Sequence, residues 1–439
     1  MGMIRVVVLF LIFLNSLNSF SQSSKDTVFF EGKPFIKHIV KTNNQLEYIA
    51  NLYNVKVNDI LEHNEVGAQL YYNQALYIPL FQKKKFNFFN NKKRFPSLRK
   101  NNNDTISISI LLPFLIPEND TLVASFKDKN EASSIIYEKS KMALSFYQGL
   151  ELTLDSLRKS GINAHIQVFD TRNDTLRVHQ ICQSKILDKS SIIIGPLFEK
   201  NLNIVCKYYG NDPLKKIISP LSKSTVPTKD NNSVYQINTP FKSQIDIIKR
   251  FILNRYKNRM ICVYYDSLNY GKALYIKEMF KREKKIIYLH NIQHVNVDSI
   301  RLIANTDQCV IIPSYNNVYV SSILSTLGGI DSTFVVFGLN NWKTFKNLEL
   351  ENLMELDVHI ADPFYFNDKN LFEQNFLRLY ENKYKSSSNR YAYVGFQVGV
   401  HFLLNQRIFT FRRLKPKSGY INIKAPILNY KNFELSKVN

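Results

Sequence analysis

Short apolar runs alternate with longer amphipathic segments along most of the chain from Ile106 onward. The runs "ISISILLPF", "AHIQVFD", "SIIIGP" and "KKIISP" have the length and the apolar content of strands. Between the first two, apolar residues recur at three- and four-residue spacing at Ala143, Phe146, Leu150, Leu154 and Leu157. This spacing predicts a helix that packs one face on a sheet. Alternating strands and helices predict an α/β fold with parallel strands joined by right-handed crossovers.

The alternation pauses at residues 234–240 ("VYQINTP") and then starts again. The runs "MICVYY", "IIYL", "CVIIP" and "TFVVFG" are each followed by a helical pattern, and "DVHI" completes the set. Two α/β units in succession predict two lobes within residues 105–415, each built on a Rossmann-like parallel sheet. Such lobes normally enclose a cleft, with the ligand outside the carboxyl ends of the strands. The polar residues 416–439 are set apart as a C-terminal tail, with a closing strand hairpin as one interpretation.

A separate small module is predicted at residues 37–80. Its first helix has one apolar face formed by Leu46, Ile49, Ala50 and Tyr53, with Asn43 or Asn44 as the N-cap. A second helix begins near Val57, carries Ile60 and Leu61, and ends at Asn64. Strand-like runs flank the two helices at residues 38–40 and 75–79. The order strand, helix, helix, strand allows two antiparallel strands to cover two short helices, so the module has a core of its own.

Four runs of this module, "HIV", "IANLYNV", "VNDILEHN" and "ALYIP", follow one another without a gap and together resemble a LysM domain. That family binds N-acetylglucosamine-containing glycans, chiefly peptidoglycan, so the resemblance implies a shallow glycan groove between two loops. The loop residues are Thr42, Asn43, Asn44, Gln45, Leu70, Tyr71, Tyr72 and Asn73. The sequence has Asn43-Asn44-Gln45 where the family usually has Gly-Asp-Thr, and Asn73 where Pro-Gly is expected.

The chemistry of these two loops suits a sugar. The amide side chains of the first loop can donate to and accept from hydroxyl groups, and Tyr71 or Tyr72 offers an aromatic face to a pyranose ring. The alternative interpretation is that Tyr53, Tyr72 and Tyr77 only complete a small core, because small domains need every aromatic residue for stability.

An ordered set of segments runs through about 300 residues of the long α/β part, beginning with "ISILLPF", "FYQGLELTLDSLRKSGINAHIQVFDTRND" and "IIGPLFEKN". It continues through "IISPLSK", "VYYDSLNYGKAL", "VIIPSYNN" and "YAYVGFQVGVHFL". This set resembles the type I periplasmic binding protein fold, a class that contains branched-chain amino acid receptors of ABC transporters and activators of peptidoglycan synthases. The resemblance implies a two-lobed fold whose cleft is ringed by Pro113, Phe114, Gly195, Pro196, Leu197, Ser219, Ser222, Ser224, Tyr265, Tyr270, Ser314, Tyr315 and Trp342.

The cleft loops lack part of the chemistry that an amino acid requires. Pro196, Leu197 and Phe198 stand where amino acid receptors of this class carry Ser or Thr, and Gln397 occupies the position of the usual acidic residue. A buried carboxylate or ammonium group of a ligand must be paired. The sequence therefore favours a small polar ligand, or no ligand, over an amino acid.

The first 21 residues have the pattern of a signal peptide. Arg5 is followed by nine consecutive apolar residues, 6–14, and by small polar residues up to Ser21. Nine helical residues are too short for the ~30 Å hydrocarbon core of a bilayer. The pattern predicts cleavage near Ser21, export to the periplasm or cell envelope, and no transmembrane segment in the mature chain; the alternative is an uncleaved signal anchor.

The net charge is +22, and basic residues are concentrated in a linker at residues 81–104, where eight Lys and Arg residues are interleaved with Phe between positions 83 and 100. Such a pattern can hold a segment on an anionic surface or on single-stranded nucleic acid. An exported protein meets little nucleic acid, so no nucleic-acid partner is expected. Lys, Asn, Ile, Phe and Tyr are also abundant throughout the chain, which favours compositional drift and a solvated linker over a specific anion site.

The sequence contains no complete catalytic or metal-binding motif. The segment from Asp266 to Ala273 superficially resembles a phosphate-binding loop, but Asp266 replaces its first Gly and Ala273 replaces the Ser or Thr after Lys272. The four cysteines have no metal-ligand spacing, and Cys182 and Cys206 are expected to remain unpaired although an oxidising compartment would permit a bridge. We therefore expect no enzyme activity, no cofactor and no metal.

Together the patterns predict a non-enzymatic cell-envelope protein. Its LysM-like module would bind peptidoglycan, and its two-lobed domain would sense a solute or engage an envelope enzyme such as a peptidoglycan synthase. The alternative is the substrate-binding protein of an ABC importer for an amino acid or another small polar solute, with chain crossings between the lobes near residues 238–240 and 362–366. A third hypothesis is a structural protein whose cleft is filled by its own side chains.

Overall fold

The computed structural model describes residues 27–30, 33–40, 45–53, 55–64, 66, 70–79, 105–125, 135–283, 286–292, 300, 307–330 and 333–438. The predicted signal peptide at 1–21, the basic linker at 81–104 and the candidate N-cap residues Asn43 and Asn44 lie outside the described residues. The chain divides into two compact units, Met1–Phe88 and Phe89–Asn439.

The described part of the first unit consists of a three-stranded antiparallel sheet and two short helices. Its strands are β1 (Thr27–Phe30), β2 (Lys33–Ile39) and β3 (Ala75–Pro79), in the order β1-β2-β3, and its helices are α1 (Leu46–Tyr53) and α2 (Val57–Leu61). Its core consists of Val40, Ile49, Ala50, Ile60, Leu76 and Ile78. The predicted order strand, helix, helix, strand is present, preceded by one further strand, β1, that the sequence did not indicate.

Asn64 joins the end of α2 to the last strand of this unit. Its Nδ2 donates to the carbonyl oxygens of Ile60 (2.7 Å) and Tyr77 (2.8 Å), and the Tyr77 amide donates back to its Oδ1 (2.6 Å). A side chain that serves three backbone groups fixes the chain reversal after the helix without contributing apolar surface. This explains why an Asn closes the second helix.

The first lobe of the second unit contains a seven-stranded sheet in the order β14-β15-β8-β7-β6-β4-β5. These strands are β4 (Ile106–Leu112), β5 (Ala164–Asp170), β6 (Ile192–Ile194), β7 (Lys216–Ser219), β8 (Val234–Gln236), β14 (Phe411–Arg413) and β15 (Tyr420–Asn422). Every neighbouring pair is parallel except β14 with β15.

The second lobe contains another seven-stranded sheet, in the order β10-β9-β11-β12-β13-β16-β17. Its strands are β9 (Met260–Tyr265), β10 (Ile287–Asn291), β11 (Gln308–Ile311), β12 (Phe334–Gly338), β13 (His359–Ala361), β16 (Ile427–Lys431) and β17 (Glu434–Lys437). The first five are parallel and the last two form an antiparallel hairpin at the edge. The predicted two-lobed α/β fold with two largely parallel sheets is confirmed.

Helices cover the sheets of both lobes. Those of the second unit are α3 (Ile116–Ala124), α4 (Glu138–Lys159), α5 (Thr175–Gln183), α6 (Glu199–Tyr209), α7 (Phe241–Arg255), α8 (Tyr270–Lys281), α9 (Asn317–Gly328), α10 (Leu350–Glu355), α11 (Leu371–Tyr384) and α12 (Arg390–Phe402). All five apolar residues that the sequence placed on the packed face of α4 are buried. None of these helices has the length and apolar character needed to cross a bilayer.

The described chain passes between the lobes three times: after β8, after β13 and between β15 and β16. The first two crossings lie where the sequence placed them, near residues 238–240 and 362–366. The third was not predicted, because residues 416–439 were set apart as a tail. That segment instead supplies β15 to the first sheet and the hairpin of β16 and β17 to the second, so it belongs to both lobes.

Candidate functional site

The loops after the parallel strands of the first lobe form one wall of the cleft. After β6 the chain turns at Gly195, whose φ of +91° is in the left-handed region, and a cis peptide bond joins it to Pro196. A Cβ at Gly195 would lie 2.2 Å from the carbonyl oxygen of Leu111, so glycine is the residue that fits. The conformation of this loop therefore depends on the close approach of its backbone to that of Leu111, and not on a polar side chain.

Two residues that the sequence assigned to the cleft are buried in the cores instead. Leu197 and Trp342 are each 1% exposed. The Trp342 indole packs against Gly338, and its Nε1 donates to the carbonyl oxygen of Ser314 (3.1 Å). Both follow a strand end, as predicted, but their apolar side chains turn inward and help to position the loops.

The three predicted serines of the first lobe differ in their surroundings. Ser224 Oγ donates to Glu199 Oε1 (3.0 Å), and Ser222 Oγ donates to the carbonyl oxygen of Ser224 (3.4 Å). Ser219 is buried, and its Oγ has no hydrogen-bond partner among the described residues. The hydroxyl groups of Ser222 and Ser224 are therefore engaged in hydrogen bonds within the protein.

Aromatic residues contribute to both sides of the predicted site. Phe114 is half-buried and packs edge-on against Tyr147, with ring centroids 6.0 Å apart. In the second lobe, Tyr265 is buried and Tyr270 is exposed, with ring centroids 5.7 Å apart. Tyr270 is therefore available to a ligand, whereas Tyr265 mainly supports it.

Ser314 belongs to a polar cluster at the carboxyl end of β11. Its Oγ lies 3.4 Å from Asp266 Oδ2 and accepts from the Asn316 amide (3.1 Å), while Asn269 Nδ2 donates to both Asp266 oxygens (2.8 and 2.9 Å). These bonds order the loops after β9 and β11. Ser314 is fully buried in this cluster and therefore supports the wall of the cleft from behind.

The ring of Tyr315 contacts one lysine from each lobe. Its ring centroid lies 4.3 Å from the Lys272 Nζ of its own lobe and 5.4 Å from the Lys223 Nζ of the first lobe. Cation–π contacts of this kind are worth about 0.5–1 kcal/mol at exposed sites and more when desolvated. Burial raises the pKa of the Tyr315 hydroxyl, so it stays neutral at physiological pH.

A small cavity of about 100 Å³ lies between the lobes and is called the cleft cavity below. It is lined by Leu221, Lys223, Asn238, Asn340, Asn341, Lys343, Thr344, Asp362, Phe364, Arg390 and Val394. Since a liquid water occupies about 30 Å³, the cavity has room for a few waters or a group the size of a phosphate or carboxylate. It is too small for a large side chain of a ligand.

The cleft cavity has an excess of positive charge. Of its three cations, Lys343 pairs with the buried Asp362, while Lys223 and Arg390 have no carboxylate within ion-pair distance among the described residues. Burial and then the charge of Arg390 lower the pKa of Lys223. Lys223 and Arg390 therefore place two positive charges at a shared cavity, and an anion bound there would be stabilised by both.

None of the residues that line the cleft cavity is among those that the sequence assigned to ligand binding. Asn340, Asn341 and Lys343 come shortly after the end of β12. Their position after a strand could have indicated that they line the cleft, but the sequence analysis selected Trp342 from this loop. Arg390 lies instead at the N-terminus of α12, which comes from the return of the chain to the first lobe. No local pattern in the sequence indicates that this residue reaches the cleft.

The glycan-binding residues predicted in the first unit are only partly described. Thr42, Asn43 and Asn44 lie outside the described residues. Of the others, Gln45 is exposed and Leu70 is half-buried, whereas Tyr71 and Tyr72 are 72% and 66% exposed. These two tyrosines are therefore available at the surface of the module.

A tight turn presents Tyr71 and Tyr72. The Tyr71 amide donates to Gln74 Oε1 (2.9 Å), and the Asn73 amide donates to the carbonyl oxygen of Val40 (2.8 Å). Asn73 has a φ of 66°, a left-handed conformation that Asn tolerates better than most residues. The interpretation that tyrosines only complete the core fits Tyr53, which contacts His38 Nδ1 at 2.9 Å, but it does not fit Tyr72.

Among the described residues, no group of three or more His, Cys, Asp or Glu side chains is arranged to hold a metal ion. All four cysteines are buried, and burial raises the pKa of each thiol to about 12. A thiol with such a pKa is protonated at physiological pH and is a poor nucleophile.

No protein-family model and no curated protein sequence matches this chain. Solved structures do match. A protein described as a branched-chain amino acid ABC transporter from Rhodospirillum rubrum is 12% identical, with 76% of this chain and 100% of that chain covered and a TM-score of 0.57. An ABC transporter substrate-binding protein from Desulfitobacterium hafniense is 16% identical, with the same coverage and a TM-score of 0.50.

A third structure, full-length LpoA from Haemophilus influenzae, is 11% identical, with 78% of this chain and 60% of that chain covered and a TM-score of 0.46. At such identities the similarity shows the fold alone. The first two structures agree with the two-lobed, largely parallel architecture described above.

Proposed function

We propose that the protein is a non-enzymatic cell-envelope protein that binds peptidoglycan glycan through its small N-terminal module and thereby places its two-lobed domain near the wall. The observation that carries this proposal is the compact module of α1, α2 and β3, which has a core of its own and displays Tyr71 and Tyr72 on an ordered turn. The resemblance of residues 37–80 to a LysM domain supports the same assignment.

Exposed aromatic residues beside amide groups are a suitable surface for an amino sugar. The apolar face of a pyranose ring packs on a tyrosine ring, while Gln45 and Asn73 offer donors and acceptors for its hydroxyl and acetamido groups. Such a surface binds weakly by itself. Weak binding is sufficient for placement, because tethering raises the local concentration of the attached domain near its target.

The two-lobed domain would then bind a solute or a protein partner near the wall. Both candidates from the sequence remain proposals: a small polar solute held between the lobes, or an envelope enzyme such as a peptidoglycan synthase bound to the outer surface.

Sedimentation with purified sacculi tests the glycan-binding proposal. We expect the protein to co-sediment at low salt, and the Tyr71→Ala/Tyr72→Ala double variant to bind about tenfold more weakly, which corresponds to about 1.4 kcal/mol. Both side chains are exposed, so the variant should fold normally, which far-ultraviolet circular dichroism would verify.

Tyr48→Ala is the matched control, because Tyr48 is a 57% exposed tyrosine of the same module that lies on α1. It should leave co-sedimentation unchanged. Failure of the protein to sediment with sacculi, or equal losses in the control and the double variant, would contradict a glycan site on the turn at Tyr71 and Tyr72.

A second candidate function, that of a solute receptor for an importer, is favoured by the unpaired cations of the cleft cavity. If it is correct, a small anion should stabilise the protein against heat, with Tm raised by about 2 °C or more when inorganic phosphate or succinate is present in large excess. The Lys223→Gln/Arg390→Gln variant should lose this shift. If neither anion and no neutral amino acid raises Tm, the solute-receptor function is wrong.

A further inference from the structure

A larger cavity of about 370 Å³ lies at the chain crossings and is called the hinge cavity below. It is formed by the crossing after β13, the start of α11, one face of α12, the loop after α12 and the crossing before β16. Its volume falls within the range of small-molecule sites in proteins, about 300–1,000 Å³. None of the residues predicted to ring the cleft lines it, whereas Gln397, which occupies the position of the usual acidic residue in amino acid receptors of the resembled class, does.

The hinge cavity and the cleft cavity lie on opposite sides of one crossing segment. Asp362 and Phe364 line the cleft cavity, whereas the alternate residues Pro363 and Tyr365 line the hinge cavity. Alternation of this kind is expected of extended backbone, whose successive side chains point to opposite faces. A ligand in the hinge cavity would therefore not occupy the cleft.

Two buried acceptor oxygens in the residues of this cavity lack partners. Glu373 and Gln397 are 8% and 6% exposed, and neither Glu373 Oε2 nor Gln397 Oε1 has a hydrogen-bond partner in the described part of the chain. The other carboxylate oxygen, Glu373 Oε1, accepts from the Tyr393 hydroxyl at 2.7 Å. A buried carboxylate with one oxygen unsatisfied is costly, and a donor supplied by a ligand would remove that cost.

The environment of Glu373 also fits a cationic partner. Its neighbours in the cavity include the rings of Phe372, Tyr393 and Phe409, and no Lys or Arg among the described residues lies within ion-pair distance of its carboxylate. Burial raises the pKa of Glu373, although the Tyr393 hydrogen bond partly opposes this. An ammonium group placed beside the carboxylate would favour the ionised form and gain a charge-assisted hydrogen bond.

The rest of the cavity carries the opposite charge. Arg407, Lys424 and Lys437 line it and are exposed, and Lys424 Nζ donates to the carbonyl oxygen of Ile408 (3.0 Å). The loop that carries Arg407 is ordered by His401, whose Nδ1 accepts from the amides of Ile408 (3.1 Å) and Phe409 (3.3 Å). Burial lowers the pKa of His401 to about 4, so at neutral pH it is uncharged and remains an acceptor.

We propose that the hinge cavity binds a small zwitterion, with its ammonium group on Glu373 and Gln397 and its carboxylate facing Arg407 and Lys424. A simple anion would find favourable charge only at the exposed side and would face the Glu373 carboxylate, while a simple cation would be repelled by three exposed cations. A molecule with both charges, separated by a short apolar body that contacts the aromatic rings, matches all of these groups.

Binding at this position would restrain the lobes. Pro363 and Pro426 belong to two of the three chain crossings, and both line the cavity. Because lobe closure requires the crossing segments to change their backbone angles, a ligand that touches two of them favours one lobe arrangement over the others. The inference does not depend on the glycan-binding proposal, which concerns the other unit of the chain.

Isothermal titration of the protein with L-alanyl-L-alanine, up to about 10 mM, tests the proposal. The dipeptide carries an ammonium and a carboxylate on a short apolar body, and it should bind with one-to-one stoichiometry. N-acetyl-L-alanyl-L-alanine lacks the ammonium group and L-alanyl-L-alanine amide lacks the carboxylate; each should bind at least tenfold more weakly. These two comparisons need no change to the protein.

Variants then locate the site. Glu373→Gln should weaken dipeptide binding at least tenfold, and Arg407→Gln, which changes an exposed side chain, should weaken it about threefold or more. Two controls should bind as the unchanged protein does: Glu434→Gln, an exposed acidic residue of β17, and Lys369→Gln, its exposed partner. Absence of dipeptide binding, undiminished binding by Glu373→Gln, or loss of binding in either control would overturn the assignment to the hinge cavity.

Discussion

Replacement of Gly395 by alanine is expected to lower the free energy of unfolding of the two-lobed unit by about 3 kcal/mol or more. Gly395 lies on α12 where this helix crosses α4, and a Cβ at this position would lie 2.0 Å from the backbone carbonyl oxygen of Phe146. A backbone atom cannot rotate away, so the two helices must separate along their contact. Urea denaturation followed by circular dichroism would measure the loss.

The effect is expected to be large because the contact is continuous along both helices. A Cβ at Gly149 of α4 would lie 1.7 Å from the carbonyl oxygen of Ala392, and one at Gly399 would lie 1.8 Å from Thr153 Oγ1. Opening the helix pair at Gly395 therefore also loosens packing at its neighbours, in an interior that is otherwise densely packed.

Gly271→Ala provides the matched control for Gly395→Ala. Gly271 lies in the first turn of α8, and no heavy atom outside its immediate chain neighbours and its own helix backbone comes within 4 Å of a Cβ built there. Since alanine favours helix over glycine by up to about 1 kcal/mol, this variant should be unchanged or slightly stabilised. Equal stability of the two variants would show that α4 and α12 do not approach as closely as described.

The sequence predicted the elements that depend on local periodicity. The apolar face of α4, the five parallel strands of the second lobe and the two helices of the small module are each specified by residues close together in the chain. A buried parallel strand such as β12 is a continuous apolar run, and an amphipathic helix repeats every three to four residues. Such signals survive in a single sequence.

Strand β15 and the third chain crossing, which the sequence did not indicate, depend on pairing between distant segments. Strand β15 has only three residues and pairs in parallel with β8, where Tyr420 and Tyr235 are directly opposite and their rings stack with centroids 4.4 Å apart. Its polar flanks are typical of a loop, and only the distant partner makes it a strand. The same holds for the third chain crossing that follows it.

The residues that line the cleft cavity were not predicted from the sequence. The loops after the strands do form the wall of the cleft, yet Leu197 and Trp342 turn inward, and the unpaired charges come from Lys223 and Arg390. Whether a residue after a strand faces solvent or core is decided by one or two backbone angles that the sequence pattern does not specify. Charge distribution around a cavity is a property of the folded chain.

The second large effect is expected at Lys343, which pairs with Asp362 between the second lobe and the crossing segment. Asp362 is 1% exposed, and apart from Lys343 its carboxylate accepts the Phe364 amide at 3.1 Å. Lys343→Met leaves this carboxylate buried without a counter-charge, for which the cost is about 3 kcal/mol. The urea midpoint of the variant should fall accordingly.

The double variant Lys343→Met/Asp362→Asn separates a buried-charge effect from a packing effect. Asparagine keeps an acceptor for the Phe364 amide but carries no charge, so the double variant should recover most of the stability that Lys343→Met loses. Lys369→Met is the control for removal of a lysine charge, because its contact with Glu434 is exposed on both sides and should contribute less than about 1 kcal/mol. If the double variant is no more stable than Lys343→Met, the loss comes from the missing lysine stem, and the crossing is not held by this ion pair.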